Sequence, residues 1–146
     1  MFALDTNLLI YAHNEGSAFH EKAAVFVKKI VAERNELGQH VVGIPSQTFA
    51  EFINLITRQT IEKSMTMAQA IVVVEKYLKA NVPIIHPRLT QLQTFLELAK
   101  STTTRKKTFD IFLAATLKDN GIEGLYTVNV DDFKDFTFLK IVNPFA

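Results

Sequence analysis

Short apolar runs alternate along the chain with longer stretches whose apolar positions recur every three or four residues. FALD (2–5) predicts a first strand, with Thr6 and Asn7 as capping groups ahead of a helical LLIYA. Between Ser17 and Asn35, residues Ala23, Ala24, Val27, Ile30 and Val31 fall at helical spacing. HVVGIP (40–45) predicts a second strand stopped by Pro45, and Ser46 is placed to cap a helix with Phe49, Phe52, Ile53 and Ile56 on one face. A further helix is predicted from Thr66 to Ala80, ended by an NVP turn. VPIIH (82–86) follows as a short strand, then a helix with Leu89, Leu92, Leu96 and Ala99 on its apolar side. Thr108 is placed to cap FDIFLAATLKDNG, with Gly121 as its stop. LYTV (125–128) and FLKIV (138–142) complete the strands, separated by the turn-rich acidic stretch NVDDFKD. This alternation predicts an α/β fold: one domain, 1–146, with a central, mostly parallel sheet of about five strands flanked by helices.

Composition narrows the chemistry. Hydrophobic residues make up 48% of the chain and charged residues 21%, as in a globular protein rather than a disordered one. With no cysteine, disulfide scaffolds, thiol nucleophiles and cysteine-held zinc are excluded. Apolar runs such as AIVVV (70–74) are too short to span a bilayer. No basic region precedes an apolar segment at the N-terminus, so no signal peptide and no membrane partner are expected, and the cytoplasm is the expected compartment. A net charge of +1 supplies no global attraction for nucleic acid. The one basic cluster is Arg105, Lys106 and Lys107.

The acids are placed more tellingly. In parallel sheets, ligands bind beyond the C-terminal ends of the strands. Asp5 ends the first predicted strand, Asp131 and Asp132 follow LYTV, and Glu51 lies early in the helix after HVVGIP. Asp110 shares its helix face with Leu113, Ala114 and Leu117, while Phe109, Ile111, Phe112 and Ala115 cover most of the remaining circumference. A lone carboxylate in so apolar a helix needs a cation or a donor network. If the acids converge, a divalent metal is what neutralises them, and oxygen-only ligands suit Mg²⁺ or Mn²⁺. Such a metal polarises a phosphoryl oxygen and activates water for in-line attack.

LDTNLLIYA, the glutamate of PSQTFAEFIN, TFDIFLAATLKDNG and LYTVNVDDF, in that order, resemble PIN-domain ribonucleases. The likeness is strongest to the toxin of VapBC-type toxin–antitoxin pairs, and FLKIVNP at the end is similar as well. The resemblance implies a PIN-like domain and an Mg²⁺- or Mn²⁺-dependent endoribonuclease that leaves 5′-phosphate and 3′-hydroxyl ends. It implies Asp5 as a central metal ligand, Asp110 as its main partner, and Glu51 as a ligand or as the orienter of the attacking water. The fourth acid belongs to the TVNVDDF block. Asp132 is the first choice there, with Asp131 available and Asn129 standing where some relatives carry Asp. Thr6, Asn7 and Thr127 would support the site by hydrogen bonds. An RNA substrate, an antitoxin partner and a homodimer are implied in the same way.

Each residue also has a plainer role to weigh. Asp5 suits a helix cap, and Asp131 and Asp132 suit turn positions. Glu51 lies about 160° round its helix from the apolar centre, where solvent is expected, although Leu55 shares its side. The helix dipole, at about 0.3–1 kcal/mol, is too weak to hold Asp110 charged in apolar surroundings. His13, His20, His40 and His86 show no metal-binding spacing. Arg105, Lys106 and Lys107 suit a solvated loop or, beside Asp110, a grip on RNA phosphates. Most of the phenylalanines belong in the core, with Phe19, Phe133 and Phe136 as candidates for base stacking. The competing function is a catalytically silent PIN-like module that binds RNA or protein. Phosphatase and receiver alternatives fit poorly, because Asn7 stands where the former needs a second Asp and neither middle strand ends in the Asp that the latter needs.

Overall fold

The computed structural model describes residues 1–102 and 107–146. Its five strands are β1 (Phe2–Leu4), β2 (Val42–Pro45), β3 (Ile84–Ile85), β4 (Gly124–Tyr126) and β5 (Lys140–Val142). They form one sheet in the order β3-β2-β1-β4-β5, with every neighbouring pair parallel. Around it lie α1 (Thr6–His13), α2 (His20–Ala32), α3 (Ser46–Ile56), α4 (Met67–Lys79), α5 (Gln91–Ala99), α6 (Thr108–Asp119) and the short α7 (Val130–Phe133).

The pleat of β1 explains the two cores, because successive side chains point to opposite faces. Leu4 joins Leu8, Leu9, Ile44, Phe52 and Ile56 beneath α1 to α4, whereas Ala3 joins Ile111, Leu113, Leu117 and Leu125 beneath α5 and α6. Each fully buried leucine contributes about 1.5–3 kcal/mol. From β1 the chain lays down β2 and β3 on one side, then returns to place β4 and β5 on the other. The reversal opens a crevice beyond the ends of β1 and β4. Gly124 lets these strands and β5 close up, since a Cβ there would stand 2.7 Å from the Lys140 carbonyl oxygen.

Several predicted boundaries shift. Asp5, not Thr6 or Asn7, caps α1, accepting from the Thr6 N–H. Pro45 occupies the N-cap of α3 and Lys107 that of α6, so Ser46 and Thr108 become first helical residues. Gly121, at φ +64, ends α6 as expected; the Ile122 N–H reaches the Leu117 carbonyl at 3.0 Å and the Gly121 N–H that of Lys118 at 3.1 Å.

Two elements were read differently from the sequence. Most of the expected apolar side of α5 faces outward: Leu89, Leu92 and Leu96 are exposed, whereas Ala99 packs inward as expected, together with Phe95 and Leu98. Phe95 meets Phe112 of α6 edge-on at 5.3 Å. The acidic stretch read as a turn contains α7, with Phe133 buried. Phe136 is buried too, so neither ring is open to a base, while Phe19 stacks on Phe145 at 5.9 Å. Among the described residues, no helix is long and apolar enough to cross a membrane.

Candidate active site

The crevice at the β1–β4 reversal collects acids from four elements. Asp5 follows β1 directly and is buried. Its Oδ1 accepts from the Thr6 N–H at 2.8 Å and its Oδ2 from the Thr127 hydroxyl at 2.7 Å. The β1–β4 pairing itself brings Thr127 there, since the Asp5 N–H continues the ladder to the Tyr126 carbonyl at 3.0 Å. Thr127 is also fully buried and accepts the Asn129 N–H at 3.0 Å. Asp5 is therefore both a helix cap and a carboxylate held in the crevice.

Glu51 corrects the solvent-facing expectation. It is half-buried, with Oε2 accepting from the Thr6 hydroxyl at 2.7 Å and Oε1 from Gln47 Nε2 at 2.8 Å. α3 has its core on one side and the crevice on the other, so the side opposite Phe52 is not simply solvent. Sequence reasoning passed over Gln47, whose only signal was a polar residue one helical turn before Glu51 on the same face.

Asp110 stands in the first turn of α6 and is half-buried rather than enclosed, and neighbouring Phe109 is 73% exposed. Burial pushes its carboxyl up to about 6, and the charges of Asp132, Asp5 and Glu51 push the same way, against a smaller opposing pull from Lys107. Burial raises Asp5 as well; the Thr127 and Thr6 hydrogen bonds oppose this, and Glu51 and Asp132 add to it. Mutual repulsion thus ties Asp5, Glu51, Asp110 and Asp132 into one electrostatic group.

Asp131 stays outside that group. Its side chain is 92% exposed and pairs with Lys134 at 3.3 Å. One residue on, Asp132 is half-buried and lines a cavity of about 390 Å³ with Lys107, Lys118, Asp135 and Thr102. Asn129 is the exposed N-cap of α7, and Asn7 lines a separate groove with Leu55 and Arg58. Lys107 pairs with Asp135 at 3.6 Å, whereas Arg105 and Lys106 lie outside the described residues. The histidines stay apart: His13 meets the Tyr77 hydroxyl at 2.6 Å, and burial pushes it down to about 4.

The donors gathered here are carboxylate oxygens, the hard ligands of Mg²⁺ and Mn²⁺. Among the described residues, no three acidic or histidine side chains are drawn together tightly enough to surround an ion on their own. Burial first, and the neighbouring carboxylates second, disfavour charge on Asp5 and Asp110, a penalty that a divalent cation relieves, so the residues fit such an ion in chemistry and sign.

A family model described as PIN domain matches residues 2–139. The chain is 25% identical over 152 residues to a protein named Ribonuclease VapC24 from Mycobacterium tuberculosis (strain CDC 1551 / Oshkosh), covering 99% of this chain and 97% of that protein. Its fold is similar to that of Mycobacterium tuberculosis VapC20, described as a sarcin-ricin loop cleaving toxin, with a TM-score of 0.65 and 19% identity over 92% of this chain and 95% of that one. It is also similar to VapBC-1 from nontypeable Haemophilus influenzae, with a TM-score of 0.66 and 18% identity over 99% and 98% of the two chains.

Proposed function

The chain belongs to the PIN domain family, and on that footing we propose that it is a metal-dependent endoribonuclease acting as the toxin of a toxin–antitoxin pair. The observation that carries the proposal is the convergence of Asp5, Glu51, Asp110 and Asp132, whose charges oppose one another at the mouth of the sheet. A relative matched along nearly its whole length bears the name ribonuclease, and a solved structure of the same fold is a VapBC pair.

Asp5, Asp110 and Asp132 would hold Mg²⁺ or Mn²⁺, and when bound the ion supplies a Lewis acid that activates water and offsets charge on the scissile phosphate. Thr127 and the Thr6 N–H fix both oxygens of Asp5, so its carboxylate is oriented before substrate arrives. Glu51, pinned by Thr6 and Gln47, orients the attacking water and accepts its proton. In-line attack on phosphorus expels the 3′-oxygen and leaves 5′-phosphate and 3′-hydroxyl ends. Lys107 at the rim lends positive charge to the RNA backbone. An antitoxin protein would restrain the activity, and the toxin would pair with a second copy of itself.

The test is RNA cleavage by antitoxin-free protein with Mn²⁺ or chelator, beside Asp110→Asn. Cation-dependent cutting that is lost in the variant supports the proposal. Binding of RNA and Mn²⁺ with no cutting of a varied RNA pool would replace it with the silent binding module.

A further inference from the structure

Gln47 does more than touch Glu51. Its Nε2 donates at 2.8 Å to Glu51 Oε1 and at 3.0 Å to the carbonyl of Phe109, the residue before Asp110. Both amide hydrogens are thereby committed, one to the acid-bearing helix α3 and one to the acid-bearing turn of α6. The amide orientation follows from its neighbours, because flipping it would set an oxygen against two acceptors. That orientation leaves Gln47 Oε1 buried with no hydrogen-bond partner among the described residues. A buried orphan acceptor carries a penalty comparable to what a hydrogen bond contributes.

We propose that Gln47 is a positioning residue that clamps Glu51 and the Phe109–Asp110 turn at a fixed spacing for the cation and the attacking water. The inference rests on the proposed nuclease function and deepens it. Thr6 holds one oxygen of Glu51 from α1, and Gln47 holds the other while locking the opposite wall of the crevice. Loss of the amide leaves Glu51 free to turn and separates the two acid-bearing helices, although Gln47 itself touches no reacting atom.

The test compares wild type with Gln47→Met, similar in length, and Gln47→Leu, neither able to donate a hydrogen bond and neither adding charge. Thermal unfolding, Mn²⁺ affinity without RNA, and kcat and KM with a cleavable RNA are measured for each. Expected are folded variants melting within a few degrees of wild type, with about 10–100-fold losses in kcat, nearly unchanged KM, and Mn²⁺ binding about tenfold weaker. A folded variant with wild-type kcat and Mn²⁺ affinity overturns the inference alone. So does a lower melting temperature with unchanged kcat per folded molecule, which would make Gln47 merely structural. Wild-type protein that neither binds Mn²⁺ nor cuts RNA overturns the proposed function, and this inference with it.

Discussion

Replacing Asp110 with Asn should make the cation-free protein more stable while abolishing cleavage. The Asp110 carboxyl is held at about 6 against an ordinary 3.8, so its charged form is disfavoured in the folded state. At 1.36 kcal/mol per pKa unit, a rise of about two units corresponds to about 3 kcal/mol of conflict. The side chain is only half-buried, so solvent screening reduces this to about 1–2 kcal/mol. For a chain of this size each kcal/mol moves the melting temperature by about 2–5 °C. Asp110→Asn should therefore melt a few degrees above wild type at pH 7.5 in chelator and low salt. The sign with pH follows from proton binding. Between 3.8 and about 6 the folded state holds the Asp110 proton more often than the unfolded chain, so stability falls as pH rises through that window. Wild type should gain on the variant as pH is lowered from 7.5 to 5, narrowing the gap. Adding Mn²⁺ at pH 7.5 should raise the wild-type melting temperature and leave the variant nearly unmoved. A variant no more stable than wild type at pH 7.5 in chelator would refute the electrostatic conflict from which the cation's role was argued.

Other perturbations separate the remaining parts of the site and the fold. Thr127→Val keeps the shape but removes a hydroxyl donor to the buried Asp5 carboxylate, so urea unfolding at pH 7.5 should show a loss of about 1.5–3 kcal/mol. Wild-type stability in that variant would mean that the bond is unimportant. Asp131→Asn should cleave RNA at close to the wild-type rate while Asp132→Asn falls by at least tenfold; the reverse order in matched kinetic assays would exchange their roles. Gly124→Ala should cost about 1–3 kcal/mol, because the new methyl meets the Lys140 backbone, and unchanged thermal unfolding would contradict the tight β4–β5 approach.

The parts of the molecule legible in the sequence were those in which one physical cause dominates. The run FAL followed by Asp5 could hardly be other than a buried strand with a polar end, and the order of strands and helices carried the parallel sheet. Glu51 was harder, since a helical wheel separates core from non-core but cannot distinguish solvent from a crevice built by residues far away in sequence. Helix α5 misled for a related reason. QLQTFLELA has apolar residues on more than one side, and α6 decided the matter by taking Phe95, Leu98 and Ala99 and leaving Leu92 and Leu96 outside. Asp131 and Asp132 are about 100° apart on α7, a helix too short to show periodicity, so the sequence could rank them only by resemblance. Gln47 escaped notice because its second partner is a backbone carbonyl, which has no signature in sequence.

The adjoining strands β1 and β4 at the middle of the sheet lie far apart in the chain. Asp5 directly follows β1, its buried hydroxyl partner, Thr127, lies 122 residues further on, and the ladder between them needs β4. At about 5–20 residues per second, translation separates the two by about 6–24 seconds. Throughout that interval the emerging chain carries its first acid without the strand that orients it, and without Asp110 and Asp132 for most or all of the time. With Asp5, Asp110 and Asp132 as the proposed site, a growing chain of this topology is inert beside the ribosome that makes it and the message that encodes it. On the proposed site, competence arrives only once Thr127 and Asp132 have been added and β4 has paired with β1, when an inhibitor already made could meet the crevice as it forms.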